Sequence, residues 1–240
     1  MLEAERTKIS ARRVAFFGGS FDPPHLGHVA VARAARSALD LDMVLFAPVG
    51  AQPLKTQTST AGFEDRVEMT RLAIAAETGF ELSLVDAPKS SGEPNYTLET
   101  LQSLRAELGE DGLLFCLVGA DSFFGLRKWH RGVDIPFVAP LIVAARPGQK
   151  LDEIKTALPP GLAMDDRPMR QETRNGVEVR SFLLTDQAGD PAALYLLPGL
   201  DIAISASEIR DGVRSGDAAA GADLLPPAVA DYVRTHGLYR

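Results

Sequence analysis

The sequence predicts an α/β fold of the Rossmann-like, doubly wound kind: a mostly parallel sheet with helices on both faces. Three observations carry that prediction. Short apolar runs alternate with helical patterns along the chain. Several runs are apolar almost throughout, as strands covered on both faces are. A glycine- and proline-rich stretch, GGSFDPPHLGH at 18–28, joins the first run to the first helical pattern, where open parallel sheets bind ligands. With 240 residues, 45% hydrophobic and 24% charged, the chain is long enough to bury a core, and 13–240 reads as a single domain.

The leader MLEAERTKISARR has no apolar centre, so it is not a secretory signal, and residues 1–12 read as a disordered leader. Strands are expected at Val14–Phe17, Met43–Val49, Phe80–Asp86, Leu113–Gly119, Leu141–Ala145 and Leu194–Leu197. Helices are expected at Leu26–Leu39, Phe63–Glu77, Thr97–Leu108 and Ser122–Trp129. Pro147-Gly148 closes the last clear strand–helix unit. Residues 149–192 are less periodic and read as an elaboration on the sheet, with Asn175-Gly176 a candidate hairpin turn. C-terminal helices follow over 205–240, at Ser205–Ser215 and Pro226–Thr235; the second has proline at its start and Gly237 past its end.

Charge and cysteine content narrow the function. A net charge of −7 argues against a nucleic-acid or anionic-membrane partner, both of which need a basic face. A small anionic ligand needs only a local positive pocket. The single cysteine, Cys116, cannot form an intrachain disulfide and sits in an apolar run, as a buried strand thiol would. No apolar run is long enough to span a bilayer, so a cytoplasmic location is expected. Oligomeric state is left open, a homo-oligomer included.

GGSFDPPHLGH is then a strand-to-helix connection. Gly18 and Gly19 allow a close backbone approach to a ligand, and the helix start offers unpaired N–H groups that suit phosphate. His25 and His28, three residues apart, share a face of the first turn, and Gly27 between them adds no side chain there. Two imidazole donors there fit stabilisation of charge on a phosphoryl group rather than nucleophilic attack. Zinc ligation is a second reading, for which no third ligand is evident, and plain helix capping a third. Neither GxGxxG nor GxxxxGK[ST] occurs.

GGSFDPPHLGH resembles the GGTFDPxHxGH signature of the HxGH nucleotidyltransferases, with Ser20 in a threonine place. ISASEIR at 204–210 is similar to the superfamily's second signature, ISxTxIR, with Ser207 in the other threonine place. Within that superfamily the chain resembles the bacterial nicotinate-nucleotide adenylyltransferases from Arg13 to Tyr239. PNYTLETL at 94–101 is similar to PxYTxxTL, GADSFFGLRKWH at 119–130 to GxDxFxxLxxWxxW, and LLPPAVADYVRTHGLY at 224–239 to LxPxxVxxYIxxxxLY. One departure is Gln52-Pro53-Leu54-Lys55, which keeps the proline and lysine of a family P-x-H-K run and lacks its histidine.

The resemblance implies adenylyl transfer from ATP to nicotinate mononucleotide, giving deamido-NAD⁺ and pyrophosphate. His25, His28 and Arg210 would carry catalysis. Gly18, Gly19, Ser20, Phe21, Gly119, Asp121, Ser205 and Ser207 would join them in binding ATP. Lys55, Tyr96, Thr97, Asp121 and Trp129 would bind the mononucleotide: Trp129 by stacking on its pyridinium ring, Tyr96 and Thr97 through backbone N–H groups. Mg²⁺ is expected on the ATP phosphates, with no protein ligands. Blander readings stand beside these: Trp129 as a core anchor, Lys55 as a solvated lysine, Ser205 and Thr97 as simple caps, and Arg210 paired with Asp211 or Asp217. Other functions stay open too: transfer to nicotinamide mononucleotide, another HxGH adenylyltransferase such as the pantetheine-phosphate enzyme, or a regulator that binds nucleotide without turnover.

Overall fold

The computed structural model describes residues 12–51, 60–145, 151–200, 204–215 and 222–240. Residues 1–11 of the expected leader, the loop carrying Lys55 and the Pro147-Gly148 pair therefore lie outside the described residues. The strands are β1 (Arg13–Gly19), β2 (Met43–Pro48), β3 (Phe80–Leu82), β4 (Leu113–Gly119), β5 (Leu141–Ala144), β6 (Ala163–Met164), β7 (Arg170–Arg174), β8 (Val177–Thr185) and β9 (Pro191–Leu197). The helices are α1 (Leu26–Leu39), α2 (Phe63–Ile74), α3 (Thr97–Leu108), α4 (Ala120–Phe124), α5 (Ile135–Val138), α6 (Leu151–Ala157), α7 (Ala206–Arg214) and α8 (Pro227–Thr235).

The sheet runs in the order β3-β2-β1-β4-β5-β9-β8-β6, with β7 also paired to β8. From β3 to β9 every pairing is parallel, and β8 begins the antiparallel edge. Strand order reverses between β1 and β4, the crevice where doubly wound sheets bind nucleotides.

Strand residues alternate between two cores. On one face Ala15 and Phe17, Val44 and Phe46, and Phe115 and Leu117 pack with α1, α2, α7 and α8. On the other, Val14 and Phe16, Leu45 and Ala47, and Leu114, Cys116 and Val118 pack with α3 to α6. This double covering is why the runs carry so few polar residues. Cys116 is buried in the second core, and burial, with Asp86 second, pushes its thiol up to about 12.

The structure departs from the sequence expectations at several element borders: α2, expected to reach Glu77, ends at Ile74, and β9, expected from Leu194, begins at Pro191. β3 stops at Leu82 instead of reaching Asp86; past it the Ser83 N–H donates to the Phe46 carbonyl and the Gly50 N–H to the Asp86 carbonyl, without a continuous ladder between them. The helix expected over Ser122–Trp129 starts at Ala120 and breaks at Gly125, continuing as a 3₁₀ turn over Leu126–Lys128. Residues 149–192 extend the sheet with β6, β7 and β8, and Asn175 and Gly176, at φ 49° and 81°, form the two-residue β7–β8 turn.

Candidate active site

The segment after β1 is shaped by residues that leave regular geometry. Phe21 adopts φ 48°, the left-handed region that costs an aromatic residue about 1–3 kcal/mol. Its ring is held in the core by Phe17 and Phe46, each at 5.6 Å between centroids. The next peptide, Asp22–Pro23, is cis. The two glycines serve packing: a Cβ on Gly18 would meet the Phe16 ring at 2.7 Å, and one on Gly19 the Phe21 ring at 3.2 Å. The close approach they permit is thus first of all to the chain's own aromatic rings.

His25 is the N-cap of α1, and His28 is its third residue. The rings stack at 3.7 Å, and Phe21 meets His28 edge-on at 5.0 Å. The His25 backbone N–H donates to His28 Nδ1 at 3.1 Å, as the third residue of a capping box does. That acceptor role puts the proton of neutral His28 on Nε2. His25 Nδ1 is buried without a partner. Burial pushes the His25 pKa down to about 4, while His28 is held well below its ordinary value by burial and then by His25. Both shifts favour the neutral imidazoles in the free protein.

The second motif reaches the first. Ser205 is the N-cap of α7, and its side chain makes no capping bond. Arg210, one turn on, donates from Nη1 to the Asp22 carbonyl at 2.7 Å and from Nη2 to Ser207 Oγ at 3.1 Å. Asp211, one of the carboxylates weighed as its partner, pairs instead with Arg214 at 2.7 Å; Asp217 lies outside the described residues.

Beneath this junction lies a buried polar network that sequence reading missed. Arg66 of α2 is 2% exposed and donates to the Ser20 carbonyl at 2.7 Å and the Val49 carbonyl at 2.9 Å. It ties together the segments that follow β1 and β2, while its Nε has no partner. Asp22 accepts from the Thr60 N–H at 2.7 Å, the Ala61 N–H at 3.1 Å and the Tyr239 hydroxyl at 2.8 Å. The aspartate of GGSFDPPH was the one available signal: it is the loop's only carboxylate.

Across the crevice, β4 ends at Gly119, where a Cβ would meet nothing within 4 Å. Asp121 is exposed in the first turn of α4. Tyr96 is the N-cap of α3 and Thr97 its first residue. The Tyr96 ring lies 4.5 Å from that of His130, a neighbour not singled out in the sequence. Trp129 is half-buried and packs against the second core, so its anchoring role is real whatever else it does. At the start of α3, Asn95 bonds to Ala51 and Ala87, and the Thr100 hydroxyl donates to buried Asp86.

Among the described residues no group of three or more His, Cys, Asp or Glu side chains is placed to hold a metal ion. Nor is any described helix long and apolar enough to cross a membrane. A separate cleft of about 220 Å³ opens at the other end of the sheet, beside Arg13 and Leu39, where Glu172 pairs with Arg170 and Arg174.

The chain is similar to known proteins in sequence and in fold. The pattern of the cytidylyltransferase-like family fits residues 16–212. A probable nicotinate-nucleotide adenylyltransferase of Laribacter hongkongensis is 40% identical over 229 residues, covering 95% of this chain and 94% of the relative. One from Sodalis glossinidius is 36% identical over 226 residues, covering 94% and 96%. The nicotinic acid mononucleotide adenylyltransferase of Plasmodium falciparum, solved in complex with NaAD, shares the fold at a TM-score of 0.65 and 18% identity, covering 95% of this chain and 97% of its own.

Proposed function

The chain belongs to the nicotinate-nucleotide adenylyltransferase family, and we infer that its two motifs bring ATP and nicotinate mononucleotide together at the carboxyl end of the sheet. It transfers the adenylyl group of ATP to nicotinate mononucleotide, giving nicotinate adenine dinucleotide and pyrophosphate in NAD biosynthesis. The observation that carries the site assignment is the bond from Arg210 to the Asp22 carbonyl, which joins ISASEIR to GGSFDPPH.

In the proposed mechanism a phosphate oxygen of the mononucleotide attacks the α-phosphorus of ATP. The new P–O bond forms as the bond to the bridging oxygen breaks, and pyrophosphate leaves with the electron pair. No enzyme nucleophile takes part, so positioning and charge stabilisation supply the catalysis. The start of α1 and His28 Nε2–H donate to the phosphates. Phosphate anions beside the histidines oppose the downward shift that burial gives them. Arg210 spends two of its five guanidinium N–H groups on the protein and presents others to the β- and γ-phosphates. Ser205 and Ser207 at the start of α7 complete that end.

Asp121 accepts a ribose hydroxyl beside the open Gly119. Tyr96 and Thr97 turn the first N–H groups of α3 toward the nicotinate carboxylate, and Trp129 offers its ring to the pyridinium. Mg²⁺ bound to the ATP phosphates would supply charge neutralisation for the departing pyrophosphate. The net charge of −7 supports small-molecule partners over nucleic acid, and the buried Cys116 suits a reducing, cytoplasmic setting.

Pyrophosphate release from ATP and Mg²⁺ tests the reading, run in parallel with nicotinate mononucleotide, nicotinamide mononucleotide and phosphopantetheine. A strong preference for the first is expected. Preference for the amide or for phosphopantetheine, or silence with all three, overturns it.

A further inference from the structure

Tyr239 takes no part in the chemistry derived above, yet it reaches under the nucleotide loop from 217 positions away. It is 5% exposed and adopts φ 66°, a left-handed conformation that an aromatic residue rarely holds. The turn after α8, closed by the Leu238 N–H on the Val233 carbonyl at 3.1 Å, delivers it there. Its hydroxyl donates to Asp22 Oδ1 at 2.8 Å. Burial, then the charge of Asp22, push the phenol far above its ordinary pKa, so it stays a donor. Three donors thus fix a carboxylate that is 5% exposed, and the carbonyl of the same residue fixes Arg210.

We propose that Tyr239 is a positioning residue for adenylyl transfer: acting through Asp22, it sets where the Arg210 guanidinium meets the triphosphate. This rests on the adenylyl-transfer reading and adds a residue to it. The physical basis is rigidity. A carboxylate held from three sides leaves its own carbonyl little freedom, and a displacement of about 1 Å at a reacting centre costs as much as 100-fold in rate.

The test is Tyr239→Phe, which keeps the ring and removes one donor. Single-turnover adenylyl transfer is measured in the unsubstituted chain and in an Arg210→Ala background. The substitution is expected to slow transfer about tenfold in the first, with the KM for nicotinate mononucleotide within about twofold, and less than about twofold in the second, because the group it positions is gone. Equal fold losses in both backgrounds, or no loss in the first, overturn the proposal. Thermal unfolding identifies a variant that fails to fold, in which case Asp22→Asn, which keeps the carbonyl and weakens the acceptor, carries the same comparison with the same outcomes. An unsubstituted chain that releases no pyrophosphate refutes the functional reading instead, before any variant is compared.

Discussion

His28→Asn separates the two jobs of one imidazole. His28 Nδ1 accepts the His25 N–H at 3.1 Å, and its Nε2–H is the group assigned to the phosphates. Asparagine places its Oδ1 close to where Nδ1 sits, so the cap survives, and it has nothing at the Nε2 position. Loss of the cap alone would cost about 1 kcal/mol of stability. Loss of the ring contacts, with His25 at 3.7 Å and Phe21 at 5.0 Å, adds on the order of 1 kcal/mol more. Loss of one preorganised donor to transition-state charge lowers kcat by about 10²–10³. The expected outcome is therefore an unfolding free energy, from urea titration, lowered by no more than about 1–2 kcal/mol with kcat down at least 100-fold. His28→Gln, whose amide nitrogen reaches toward the Nε2 position, should recover part of the rate. A kcat for His28→Asn within tenfold of the unsubstituted chain would refute the donor role.

Three further outcomes follow from the same geometry. Between pH 6.5 and about 4 the folded chain holds His25 with fewer protons than the unfolded chain does, so this contribution to stability is complete above 6.5 and is lost as pH falls toward 4. The loss is about 3 kcal/mol, read from urea midpoints across that range; a flat profile would show that His25 is not buried as described. Trp129→Leu keeps apolar packing and removes the aromatic face; it should raise the KM for the mononucleotide about 3- to 30-fold with that for ATP unchanged, and equal rises would leave only the core role. Chelation of Mg²⁺ should abolish turnover while the thermal unfolding curve stays in place, and full activity in chelator would remove the metal from the account.

The parts of this fold that local chemistry dictates were legible in the sequence. α1 and α3 begin and end where expected because their borders are set by neighbours, with Asp40 at φ 48° and Gly109 at φ 69° closing them. β4 was legible because both of its faces are covered. By contrast RQETRNGVEV shows only its turn, since β7 lies out of the main strand order and is polar throughout, and the apolar run of β8 comes only in its later half, at Phe182, Leu183 and Leu184.

Within the site the contrast is sharper. His25, His28 and Arg210 stand in short motifs that can be read. Arg66 stands in FEDRVEMT, where an arginine looks like any solvated helix residue, and its 2% exposure depends on loops after two different strands closing over it. Asp22 and Tyr239 are 217 positions apart, and no spacing rule connects them. Long-range polar contacts of this kind come from tertiary packing alone.

The most direct measurement is the configuration at the α-phosphorus after one turnover. ATP carrying a chiral α-phosphorothioate would be turned over with nicotinate mononucleotide, and the dinucleotide product analysed by phosphorus NMR. Direct in-line attack by the mononucleotide, with His28, Arg210 and the start of α1 only stabilising charge, gives inversion. Retention would mean that a side chain carries the adenylyl group between two displacements, and would contradict a site that works without a nucleophile.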